Sequence, residues 1–304
     1  MKKLTLFMAL LMMLLTFSAC TTDLNLPSPG TIEGRRDLDM NIMTTNKMIY
    51  AMVKDIVKDK HYVEYMFNTE EEQWSFEFSE DSLGNISKED LFIYTGADFE
   101  PWMSKFLDQL DKNSVGVINA SRGVKLSYYS TEVKYKDSII KDNPYYWLNV
   151  ENYKIMMLNI KNAIQEKDPK NRQYYEDNFN NALKMLEGDQ KRFKDMAEAS
   201  KNTLFVVQGD KLDYLLRSAG FKVLKLGELE AINKSQQKDY IDKKFKESEK
   251  AVFLYTEDNQ IKRAEELLNT RMPEQRIKLS CYRGDMSYIE LFRSNLQALE
   301  KIIK

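Results

Sequence analysis

Imidazole and thiolate, the side chains that most often bind transition metals or act as base and nucleophile, are scarce here: the chain holds one histidine, His61, and two cysteines, Cys20 and Cys281. A site with two histidines is excluded within one chain, and any Ser-His-Asp or Cys-His pair would have to use His61. There is no Gly-x-Ser-x-Gly elbow and no Gly-x-x-x-x-Gly-Lys phosphate loop, so an enzyme is not expected. His61 opens a candidate strand and reads as an exposed structural residue. Cys281 lies in or beside the last candidate strand and reads as a small buried hydrophobe. The acidic run Glu70-Glu71-Glu72 reads as a solvated loop. The aromatic residues Trp74, Tyr145, Tyr146 and Trp147 fit two uses, packing or the walls of a cleft that stacks an organic ligand.

The elements that must position these residues follow from periodicity. Strands are expected at Met40 to Thr44, His61 to Phe67, Asp90 to Tyr94 and Val115 to Asn119, with Asn46 capping a helix over Lys47 to Lys58 whose Met48, Met52 and Ile56 share one face. Strands alternating with helices predict a parallel sheet. Tyr153, Met156, Met157, Ile160 and Ile164 mark a helix from Val150. A second helix is expected from Pro169 to about Ala199, capped by Asp168, with Tyr175, Phe179, Ala182, Leu186, Phe193 and Met196 as its stripe. Thirty residues at a rise of 1.5 Å make it about 45 Å long, enough to join two lobes. The α/β rhythm then returns: strands at Thr203 to Val207, Phe221 to Leu226, Ala251 to Tyr255 and Arg276 to Cys281, and helices at Leu212 to Ala219, Asp239 to Glu249, Ile261 to Leu268 and Met286 to Ile303. The expected fold class is α/β, two lobes with parallel sheets flanked by helices and joined by one long linking helix.

Composition agrees with such a body. The 304 residues are 43% hydrophobic and carry 45 basic against 47 acidic side chains, a formal charge of −2. A sizeable core is affordable, and no nucleic-acid partner is expected. Lys2 and Lys3 precede an apolar run from Leu4 to Phe17, which reads as a signal peptide over residues 1–19. Phe17-Ser18-Ala19-Cys20 resembles a bacterial lipobox, in which Cys20 becomes the lipidated first residue. Residues 20–36, with Pro27, Pro29, Gly30 and Gly34, read as the lipidated cysteine and a flexible tether. The organisation expected is an N-terminal lobe over 37–168, the linking helix over 169–199 and a C-terminal lobe over 200–304. The product is exported and lipid-anchored to the outer face of a bacterial membrane or cell surface, and is expected as a monomer.

Five strings in order then resemble one family, the solute-binding lipoproteins of bacterial zinc/manganese ABC importers. They are Asn41-Ile-Met-Thr-Thr-Asn46, Leu91-Phe-Ile-Tyr-Thr-Gly-Ala-Asp-Phe-Glu-Pro-Trp102, Asn143-Pro-Tyr-Tyr-Trp-Leu-Asn149, the segment Tyr174 to Leu186 followed by Phe205 to Tyr214, and Tyr288 to Leu299. The resemblance implies a receptor that hands a solute to an ABC permease in the membrane, with zinc or manganese as the implied cargo. It also implies that the family's metal ligands are substituted: Trp74, Tyr145 and Gly209 stand at three ligand positions, and Asp285 is the one ligand-type residue kept. Tyrosine with an ordinary pKa of about 10 is a poor divalent ligand at neutral pH, and an indole N–H only donates. Asp210, next to Gly209, is the nearest compensating carboxylate, with Glu77 and the Glu70 run as others. No intact high-affinity site is expected. The alternative reading is a non-transporting binding or adhesion lipoprotein that keeps the fold and uses the aromatic cleft or surface for another ligand or partner.

Overall fold

Alternation along two central strands organises the body. In the computed structural model, which describes residues 39–136, 138–284 and 286–302, the first elements are β1 (Asn41–Asn46), α1 (Lys47–Val57), β2 (Tyr62–Phe67), α2 (Glu70–Ser75), α3 (Glu80–Ile86), β3 (Leu91–Tyr94), α4 (Met103–Gln109) and β4 (Gly116–Asn119). The four strands form a parallel sheet of order β2-β1-β3-β4. A hairpin follows, β5 (Tyr128–Tyr135) with β6 (Ser138–Asp142), antiparallel. Then come α5 (Val150–Lys167) and the long α6 (Arg172–Ala199). The second half runs β7 (Thr203–Val207), α7 (Asp213–Ala219), β8 (Lys222–Lys225), α8 (Leu226–Leu229), α9 (Lys234–Lys246), β9 (Lys250–Tyr255), α10 (Asn259–Leu268), β10 (Arg276–Lys278) and α11 (Tyr288–Glu300). Its sheet is parallel, of order β10-β9-β7-β8.

Because strand side chains point alternately to opposite faces, each sheet has an inner and an outer set. Ile42, Leu91 and Ile93 from the first sheet and Phe205, Val207, Val252 and Leu254 from the second enter one core shared with α1, α5, α6 and α11. Their neighbours go the other way: Phe92 packs with Phe67, Trp102 and Phe106, and Leu204, Val206 and Phe253 pack with Ile241 and Leu268. The fold is thus the expected α/β pair of lobes joined by a long helix. The interior between the lobes is continuous.

Several boundaries differ from the sequence reading, each for a local reason. Asn46 does cap α1, its side chain accepting from the Ile49 N–H at 3.1 Å. Asp168 does not cap α6 through its side chain; it precedes a 3-10 turn over Pro169–Asn171, and its carboxylate instead accepts the Tyr175 hydroxyl at 2.5 Å. α9 starts earlier, at Lys234, because Asn233 supplies the cap. β10 ends at Lys278, short of Cys281. His61 is buried rather than exposed: its Nδ1 accepts from the Met40 N–H at 3.2 Å, and its Nε2 lies 2.6 Å from the Tyr175 hydroxyl. The signal peptide, Cys20 and the whole tether lie outside the described residues. No described helix is long and apolar enough to cross a membrane.

The turn after β3 is held by a buried carboxylate. Gly96, Ala97 and Asp98 all have positive φ (79°, 53° and 60°), a strained run for two residues that carry a Cβ. Glu100 offsets this by accepting from the N–H groups of Thr95 and Gly96, both at 2.9 Å, and from the Thr45 hydroxyl at 2.6 Å. A side chain at Gly96 would meet the Asn119 amide oxygen at 2.1 Å. Burial raises the Glu100 carboxyl above its usual 4.5, against the opposing effect of these hydrogen bonds. With the folded pKa above the unfolded one, the group's contribution is complete below the unfolded value and is lost as pH rises through the folded one. Glu100→Gln should therefore gain on the wild type as pH rises from 4 to 7 in paired denaturation curves; a constant difference would remove Glu100 as the source.

Candidate functional site

Parallel sheets gather chemistry at the carboxyl ends of their strands, and here those ends face one cleft of about 690 Å³. One wall is α2, which brings Glu70, Glu71 and Trp74; the other carries Lys211, from the loop after β7, and Glu257, from the loop after β9; Tyr282, Arg283 and Gly284 complete the lining beyond β10. The acidic run is not a loop. Thr69 caps α2 by accepting from the Glu72 N–H at 3.1 Å, and Glu72 reaches back to Thr69, a capping box that orients the first turn. Glu72 is thereby committed to the helix end, while Glu70 accepts the hydroxyl of Tyr145.

Tyr145 is fully buried, and its phenol is pushed well above the usual 10, by burial first and then by Glu70. It is a neutral donor in this cluster. Beside it, the Lys211 ammonium lies 3.0 Å from Glu257 and 3.7 Å from Glu70, and 5.3 Å from the centre of the Tyr145 ring. Burial pulls the Lys211 pKa down, but Glu70 and Glu257 more than offset it, leaving it above the usual 10.5. Behind Lys211, the Cys281 thiol points to the Lys211 carbonyl at 3.6 Å. Burial pushes that thiol strongly up, so it is a neutral packed group.

The residues singled out in the sequence separate. Trp74 and Tyr145 come to the same carboxylate neighbourhood; the Trp74 Nε1 is buried with no hydrogen-bond partner among the described residues. Gly209 lines a second cavity of about 260 Å³ under the hairpin, where a Cβ would meet nothing within 4 Å. Asp210 is buried with both oxygens engaged, by the Ser130 N–H and hydroxyl at 2.8 Å and by the Lys225 ammonium at 2.7 Å. Glu77 is exposed and pairs with Lys136 at 2.7 Å, lining a different pocket. Asp285 lies outside the described residues. Among the described residues no three His, Cys, Asp or Glu side chains are placed to hold one metal ion.

Lys211, Glu257 and Tyr282 were not singled out in the sequence. The signal available was positional: each lies within four residues of the end of a strand of the second sheet, at the end where parallel sheets build sites. The hairpin was missed as well, yet Ser130 on β5 fixes Asp210, and the Ser127 N–H donates to the Tyr214 hydroxyl at 2.7 Å.

The High-affinity zinc uptake system protein ZnuA of Bacillus subtilis (strain 168) is 25% identical over 294 residues, 91% of each chain. The Manganese ABC transporter substrate-binding lipoprotein PsaA of Streptococcus pneumoniae is 28% identical over 214 residues, 68% of this chain and 64% of that protein. The crystal structure of the Metal-dependent Lipoprotein YcdH from Bacillus subtilis superposes with a TM-score of 0.67 at 22% identity, covering 86% of this chain and 97% of the other, a likeness of fold. Residues 42–302 match the family described as ZnuA, Zinc-uptake complex component A periplasmic, which takes in both sheets, the long helix and all the cleft walls, and the chain belongs to that family.

Proposed function

We propose that this chain is the solute receptor of an ABC importer of the zinc/manganese type, whose cleft has exchanged the family's metal-ligand set for a neutral and self-paired one. The receptor half rests on the family match over residues 42–302 and on relatives named as zinc and manganese transport lipoproteins. That family is one of substrate-binding receptors rather than enzymes, and membership implies a permease in the membrane as partner. Export, lipidation at Cys20 and action as a monomer complete the proposal, on the signal-like residues 1–19 and the lipobox-like string.

One observation carries the altered-site half: the cleft brings together an indole, a protonated phenol and an ammonium where a divalent ion would need several unprotonated donors, and its carboxylates Glu70 and Glu257 are already engaged by Tyr145 and Lys211. Trp74, Tyr145 and Gly209 supply none, and Asp210 is committed to Ser130 and Lys225. A divalent ion gives up its water only to comparable donors. After chelator stripping, calorimetric titration of the purified protein with zinc or manganese should show no stoichiometric tight binding, and elemental analysis should find no retained metal. One tightly held ion per chain would overturn this half of the proposal and restore Asp285 and its neighbours as a working site.

A further inference from the structure

The cleft already contains a cation of its own. Glu70 comes from the first lobe and Glu257 from the second, and the Lys211 side chain reaches both, at 3.7 and 3.0 Å, over the face of Tyr145. We infer that Lys211 is the specificity-determining residue of the cleft: its tethered ammonium takes the place between the two carboxylates that a divalent cation would need, and so keeps zinc and manganese out. The inference deepens the altered-site reading above and rests on it.

Three features make the ammonium a fixture rather than a passing surface contact. Its backbone is pinned on both sides, because the preceding residue, Asp210, is tied to Ser130 and Lys225, and the Lys211 carbonyl is met by the Cys281 thiol. Its carboxylate partners are placed from other elements, Glu70 by the capped first turn of α2 with the Tyr145 hydroxyl on its oxygen. Its ammonium is met by both carboxylates at once, so the space between them is already occupied by a positive charge. A divalent ion entering between Glu70 and Glu257 would face a like charge at contact distance in a partly desolvated cleft, and displacing it would strand the ammonium away from both partners.

The test is manganese and zinc titration of the wild-type protein, Lys211→Met, Lys211→Ala and Lys211→Arg, with thermal melting by circular dichroism as the folding check. Removing the charge should tighten binding of one ion by at least about tenfold. Adding Glu70→Gln to Lys211→Ala should abolish the gain, and Lys211→Arg should remain as weak as the wild type. If Lys211→Met does not fold, Lys211→Ala decides, since it introduces no atoms into the cleft. Folded Lys211→Met or Lys211→Ala protein that binds no more tightly than the wild type overturns the inference and leaves the altered-site reading standing. A gain that survives Glu70→Gln also overturns it, because the site would then lie elsewhere. Tight binding by the wild type would overturn the altered-site reading itself, and is seen before any substitution is made.

Discussion

Replacing Leu186 with proline should cost about 5 kcal/mol or more. Leu186 lies near the middle of the 28-residue α6, fully buried in the core that both sheets share. Proline there removes one backbone hydrogen bond and drives its ring into the preceding turn, which costs about 3 kcal/mol by itself. Loss of the buried leucine side chain adds about 2 kcal/mol or more. Against a total stability of about 5–15 kcal/mol, the sum is between a third and the whole. Leu186→Ala separates the two contributions, since it keeps the helix and loses only the packing. Chemical denaturation followed by circular dichroism gives both values. A proline variant no less stable than the alanine variant would mean that α6 is not continuous through this point.

The second large effect is expected at Trp147, where the two lobes meet. The indole is fully buried, its Nε1–H donates to the Cys281 carbonyl at 2.7 Å, and its ring packs edge-on against Phe99 at 4.9 Å and Tyr145 at 5.5 Å. Trp147→Ala should cost about 3–5 kcal/mol through the cavity alone. Trp147→Phe keeps most of the ring but strands the carbonyl, and should cost about 1–3 kcal/mol. The two variants should also differ at the cleft, because Cys281 leads directly into Tyr282 and Gly284 of its lining. Hydrogen exchange over residues 279–284 should quicken in both. Protection unchanged there, with stability within about 1 kcal/mol of wild type for the alanine variant, would remove Trp147 as the element that couples the last strand to the first lobe.

The parts of the fold that were legible in the sequence are those whose side chains obey one period. β3 and β7 are short apolar runs buried on both faces, and α6 shows its stripe from Tyr175 to Met196. The hairpin was illegible for the converse reason. Tyr128–Tyr135 is exposed or half-buried throughout and contributes no fully buried residue, so no apolar face marks it. What holds it is polar and distant, the Ser130 contact with Asp210 eighty residues away. His61 was misread similarly. A polar residue opening a strand looks solvent-facing until Tyr175, from the far side of the sequence, is seen covering it. At the cleft, family resemblance pointed to Trp74 and Tyr145. Lys211 was hidden because an ammonium between carboxylates from a helix and a distant loop leaves no spacing in the chain; only the strand ends forecast it.

The shared interior also constrains the order in which the molecule can be made. Synthesis proceeds from the N-terminus, and domains with private cores can fold as they emerge. Here each lobe has only a smaller cluster of its own on the outer face of its sheet, and the main core needs both. α11, the last helix, lies against α1 and α6, and its Tyr288 stacks on Tyr153 with ring centres 3.6 Å apart. The hairpin, emitted before residue 143, finds its anchor at Asp210 and Tyr214. Until Asp210 and Tyr214 have left the ribosome the hairpin has nothing to hold, and until residues near 300 have left it α1 and α6 lack the helix that packs against them. The growing chain is thus kept from closing early, which is the state in which a polypeptide can still be threaded through a translocation pore.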